Sequence, residues 1–180
     1  MNIKNHFVEN IKISKSPNFN IRPKDMKISL IVLHSISLPP TIFGNQYVED
    51  FFLNKLSKSN DEYLNNIKDM RVSSHVYIKR SGEIIQFVPF NKRAWHAGKS
   101  SYEGIENCND YSIGIELEGC EDIVYENIQY IKLAEIINAL LDNYGDLSSD
   151  RIVSHSDIAP GRKLDPGPLF DWKRLKTMIK

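Results

Sequence analysis

Two short apolar runs in this chain each lead straight into a histidine: Ser29-Leu30-Ile31-Val32-Leu33 precedes His34, and Arg151-Ile152-Val153-Ser154 precedes His155. Continuous apolar runs of this length read as buried strands, so the fold contains two strands that each deliver an imidazole at the C-terminal end. Asp165 follows His155 in a loop bracketed by Pro160-Gly161 and Pro166-Gly167-Pro168. Those prolines and glycines restrict the backbone and fix the direction of the carboxylate. Two imidazoles and one carboxylate are the borderline nitrogen and oxygen ligands that a tetrahedral catalytic zinc takes, its fourth position being left to water. The three residues predict a zinc hydrolase.

The rest of the chain supplies a sheet and its covering helices. Residues 76–79 and 83–88, separated by Arg80-Ser81-Gly82, read as a hairpin, and residues 112–117 as a further strand. Helical periodicity is strongest over 126–144, where Ile128, Ile131, Ile136, Leu140 and Leu141 recur and Gly145 is placed to cap the end. Shorter helices are predicted over 47–56, 62–70 and 170–178. Helices interspersed among strands give an α/β or α+β class, a central sheet flanked by helices. The connection from His34 to Arg71 contains Pro39-Pro40, Gly44 and a polar run around Lys55–Glu62. A segment this long forms a cleft wall or lid, or else a solvated excursion, and its sequence does not choose.

With 180 residues, 41% of them apolar, the chain is long enough for one core and reads as a single domain over 1–180. Its 23 basic and 23 acidic residues cancel, and without clustered positive charge neither nucleic acid nor an anionic membrane is implied as a partner. Met1-Asn2-Ile3-Lys4-Asn5-His6 lacks the apolar stretch of a secretory signal, and no window approaches the roughly 20 apolar residues of a membrane span. The expectation is a cytoplasmic monomer acting on a small molecule. Cys108 and Cys120 agree with a reducing address; lacking a Cys-x-x-Cys arrangement, they read as buried or neutral thiols.

Five blocks, HSISLPP at 34–40, SGEIIQFVPF at 81–90, KRAWHAG at 92–98, CNDYSIGIELEG at 108–119 and SDIAPGRKLDPGP at 156–168, resemble the type 2 N-acetylmuramoyl-L-alanine amidases. Within that family they are closest to the cytosolic zinc enzymes that open anhydromuropeptides during peptidoglycan recycling. The resemblance implies a central mixed sheet, with His34, His155 and Asp165 as the Zn2+ ligands. Strand alternation puts Glu116 and Glu118 on one face and cannot choose between them as the base that a metallohydrolase needs. The resemblance selects Glu116. It also makes Lys163 catalytic, a role that suits a fixed charge beside a developing oxyanion, while Arg162 reads as a surface or structural charge.

The resemblance further implies substrate contacts from Ser35, Arg71, Ala94, Trp95, His96 and Asn107. An indole such as Trp95 supplies an apolar face for a sugar or peptide, although a core tryptophan is the plain alternative. Ser35 stands where well-known members of the family carry Asn, and Asn107 where they carry Arg, which puts peptide affinity in question. His75 begins a strand and reads as core or as support behind the ligands, and His6 as a tail residue. Three rival readings are an endolysin-type amidase acting on intact wall, a binding module that has lost catalysis, and a structural zinc. The complete ligand set with Glu116 and Lys163 argues against the second, and the lack of a closed, cysteine-rich set against the third.

Overall fold

The computed structural model describes residues 1–180. Its centre is a six-stranded sheet built from β1 (Lys12–Ile13), β2 (Leu30–Ile36), β3 (Val76–Ile78), β4 (Ile84–Gln86), β5 (Ser112–Glu118) and β6 (Ile152–Ser154), in the spatial order β6-β2-β5-β3-β4-β1. Neighbours run parallel except in the β3–β4 hairpin, which makes the sheet mixed, as expected. Strand β2 is buried on both faces over residues 30–34 and so begins with the continuous apolar run Leu30-Ile31-Val32-Leu33, whereas β5 is buried along its whole length and yet alternates, with Ile113, Ile115 and Leu117 on one face and Ser112, Gly114, Glu116 and Glu118 on the other.

The pleat divides the side chains between two layers. Ile31, Leu33, Ile113, Ile115 and Leu117 face the long helix α3 (Asn127–Asn143) and meet its Leu133, Ile136, Ile137 and Leu140. Burial of each such side chain stabilises the fold by about 1.5–3 kcal/mol before ordering entropy is counted. The helix begins in a reciprocal capping box between Glu126 and Gln129. Its end differs from expectation: Gly145 does not form a left-handed cap. The chain leaves instead through an extended Tyr144, held by its hydroxyl against His6 Nδ1 at 2.8 Å and by an edge contact to Phe90.

On the opposite face lie α1 (Tyr47–Phe52), α2 (Glu62–Ile67) and the short α4 (His155–Ile158), while α5 (Trp172–Met178) packs beside α3. Helices α1, α2 and α5 are shorter than their sequence patterns suggest, and α4 has no counterpart among the predicted helices. Asn54 takes a left-handed conformation two residues beyond α1, and Asp171 caps α5 at the Arg174 N–H, so Phe170 stays outside the helix. The buried carboxylate of Glu49 binds Lys12 and Lys79 at 2.7 and 3.2 Å, fastening α1 to the sheet. The 35–71 connection is thereby a cleft wall and not a solvated excursion: Leu38, Phe51, Phe52, Tyr63 and Ile67 line the cavity that also contains His34, His155 and Asp165.

Candidate active site

Strand β2 runs on to Ile36 because β5 continues beside it, pairing Leu117 with Ser35 and Glu118 with Ile36. His34 therefore sits inside the strand and not at its end, in register with Glu116 on β5. His155 opens α4 directly after β6. Ser154 caps that helix by accepting the Asp157 N–H at 2.9 Å, while Asp157 accepts the Ser154 N–H at 2.8 Å. Asp165 returns to the same place because its carbonyl accepts the Ser156 N–H at 3.2 Å. Arg162 reinforces the loop by donating to the carbonyls of Ala97 and Lys99 at 2.6 and 2.7 Å, the structural role expected of it.

The three candidate ligands converge. His34 Nδ1 lies 2.9 Å from His155 Nδ1 and 3.2 Å from Asp165 Oδ2, and His155 Nδ1 lies 3.0 Å from Asp165 Oδ2. Donors at roughly 2.0–2.1 Å from a tetrahedral zinc are about 3.3 Å apart, so this set needs to widen only by a few tenths of an ångström to match a loaded one. His155 Nε2 donates to the Ala97 carbonyl at 3.2 Å, which leaves Nδ1 with its lone pair facing the cluster. Burial, helped by the nearby charges of His155 and Lys163, lowers the pKa of His34 to about 4 against the pull of Asp165. Burial alone would raise Asp165; the adjacent imidazoles of His155 and His34 outweigh it and hold the carboxyl well below the usual range. A neutral imidazole beside an ionised carboxylate is the protonation state that metal binding requires, and the donor set fits zinc.

The choice between the two glutamates follows from what each one binds. Glu118 accepts the N–H of Gly44 at 2.5 Å and of Arg80 at 2.9 Å, so both of its oxygens are occupied in anchoring loops. Glu116 lines the cavity, and its buried Oε2 has no hydrogen-bond partner in the protein. Burial first, and then the charge of Asp165, push Glu116 well above the ordinary glutamate pKa, with Lys163 opposing. Lys163 is exposed on the cavity wall and makes no ion pair.

Of the expected substrate contacts, Ser35, Trp95 and His96 line this cavity of about 550 Å³, whereas Arg71, Ala94 and Asn107 do not. Ala94 is fully buried, paired with Phe19 on a neighbouring strand. The Arg71 guanidinium turns back onto the carbonyls of Lys68 and Met70. Asn107, at a left-handed φ of 58°, opens a 3-10 turn and lines a separate depression that shares only Arg162 with the cavity. Trp95 is half-buried and donates its indole N–H to Asn20 at 2.9 Å. His75 is core: its Nδ1 accepts the Gly114 N–H at 3.0 Å and its Nε2–H donates to Lys92 O at 3.0 Å. Cys108 is buried, and Cys120 is a partly exposed thiol on the cavity wall.

Comparison with known proteins gives one consistent result. Residues 24–168 match the family described as N-acetylmuramoyl-L-alanine amidase. The chain is 49% identical over 166 residues to the 1,6-anhydro-N-acetylmuramyl-L-alanine amidase AmpD of Haemophilus influenzae, covering 92% of this chain and 90% of that protein. It is 47% identical over 164 residues to the enzyme of the same name from Escherichia coli, covering 91% and 89%. A crystal structure of a selenomethionine derivative of AmpD superposes with a TM-score of 0.97 at 44% identity, covering all of both chains. The Escherichia coli amidase AmiD, solved in complex with anhydro-N-acetylmuramic acid-L-Ala-D-γ-Glu-L-Lys, superposes with a TM-score of 0.61 at 29% identity, covering 87% of this chain and 60% of that one.

Proposed function

Since the chain belongs to the N-acetylmuramoyl-L-alanine amidase family, we propose that it is a zinc enzyme of cytoplasmic peptidoglycan recycling. Its reaction is hydrolysis of the amide between the lactyl group of 1,6-anhydro-N-acetylmuramic acid and the L-alanine of a stem peptide. The observation that carries this reading is the near full-length likeness to relatives named for that amide. No helix is long and apolar enough to cross a membrane, which agrees with the address. One domain, acting as a monomer, contains every group the reaction needs.

In this reading His34 Nδ1, His155 Nδ1 and Asp165 Oδ2 hold the metal. When bound, zinc supplies Lewis acidity, polarising the scissile carbonyl and lowering the pKa of water. Glu116 takes a proton from the attacking water and delivers it to the departing L-alanine nitrogen; its raised pKa suits a group that must hold that proton between the two events. Lys163 stabilises the negative charge that develops on the lactyl carbonyl oxygen. Ser35 and Trp95 contact the sugar and the first peptide residues, whereas Arg71 and Asn107 meet only a stem peptide long enough to leave the cavity.

The substrate assignment is tested by presenting the purified protein with an anhydromuropeptide and, separately, with intact sacculi. Stem peptide is expected to be released from the first and not from the second. Faster release from sacculi would assign the enzyme to wall lysis instead.

A further inference from the structure

Behind His34 stands a chain of hydrogen bonds whose direction is forced from its far end. The carbonyl of Cys108 can only accept, so the Ser112 hydroxyl donates to it, at 2.5 Å. Ser112 Oγ then accepts from His96 Nε2–H at 3.2 Å. That leaves His96 Nδ1 with its lone pair, 2.9 Å from His34 Nε2, which must be the donor. With its proton on Nε2, His34 turns the lone pair of Nδ1 toward His155 and Asp165.

His96 is held firmly in this position. Asn109 Oδ1 accepts the N–H of both His96 and Ala97, at 3.0 and 2.8 Å. The imidazole lies over Gly114 in the middle of β5, where any Cβ would fall 2.4 Å from His96 Cγ. Glycine weakens a strand interior, and here its lack of a side chain makes room for the ring.

We propose that His96, oriented by Ser112 and accommodated by Gly114, is a positioning residue that fixes His34 as an Nδ1 ligand. It would thereby raise zinc affinity without itself touching metal or substrate. The inference rests on the metal reading above and replaces the substrate contact expected of His96 from sequence. Zinc-ligating histidines generally donate their other ring N–H to a carboxylate, carbonyl or water, and loss of such a partner costs about 10–100-fold in metal affinity; here the partner is a second imidazole.

The test is the zinc dissociation constant of the full chain, measured by competition with a chromophoric chelator, with unfolding of each metal-free variant followed alongside. His96→Phe, which keeps a ring but offers no acceptor, is expected to weaken zinc binding about 10–100-fold. His96→Asn, whose Oδ1 takes the place of Nδ1, should recover most of that loss. Ser112→Ala should weaken binding by a smaller factor, and it decides the matter if His96→Phe does not fold. Equal affinity in wild type and either acceptor-free variant would overturn the proposal, as would an Asn variant no better than Phe. Wild-type protein that takes up no zinc would overturn the metal reading, and this inference with it.

Discussion

Exhaustive chelation should abolish hydrolysis, and addition of zinc should restore it. The expectation rests on the donors. Two imidazole nitrogens and one carboxylate oxygen converge within about 3 Å of one another, each imidazole turning its lone pair inward, and no side chain in the cavity can replace the acidity that zinc gives to water. Lowering the pKa of water from about 15.7 to about 7 changes the fraction ionised at neutral pH by roughly eight orders of magnitude, so residual turnover should fall below detection. Magnesium should not substitute, because imidazole donors favour zinc over hard cations. Asp165→Ala should produce the same loss from the other side, as lowered zinc content by elemental analysis, since it removes the only anionic ligand. Full turnover in protein shown to be metal-free would remove the basis of the mechanism.

Glu116→Gln should retain zinc and yet lose about 10²–10⁴-fold in kcat, the usual contribution of a general base. The substitution keeps the shape and removes the basic oxygen, so metal content and unfolding midpoint should hardly change. Glu118→Ala makes the contrasting control. It leaves the N–H groups of Gly44 and Arg80 without their buried acceptor, at a cost of about 1–3 kcal/mol for each group that stays unpaired. Its effect should therefore appear in denaturant unfolding before it appears in kcat. If Glu118→Ala instead carries the large kcat loss while Glu116→Gln is nearly silent, the base is Glu118 and the assignment to Glu116 is wrong.

The parts legible in the sequence were those set by local pattern. Strand β2 is legible because burial on both faces demands a continuous apolar run, β5 because small or polar residues alternate with Ile113, Ile115 and Leu117, and α3 because one face of it meets the sheet. His155 and Asp165 could be paired because a short rigid loop joins them. Glu116 and Glu118 could not be separated by alternation, since both lie on the same face; the N–H groups that occupy Glu118 come from loops distant in sequence. Likewise, nothing in the sequence next to His96 indicates that its ring backs His34, and the one hint elsewhere is the glycine between Ile113 and Ile115 in a fully buried strand. Only the resemblance points to Arg71 and Asn107, and neither lines the cavity: the Arg71 guanidinium turns onto the Lys68 and Met70 carbonyls, and the left-handed backbone of Asn107 sets it over a separate depression.

The most direct test of the central claim is hydrolysis of an anhydromuropeptide in water enriched in oxygen-18, with both products read by mass. Attack of water on the lactyl carbonyl, directed by Glu116 beside the His34, His155 and Asp165 cluster, predicts one heavy oxygen in the carboxylate of the anhydromuramic acid. The released peptide should begin at L-alanine with a free amine and carry no label. Heavy oxygen in the peptide, or scission between two residues of the stem, would contradict the account.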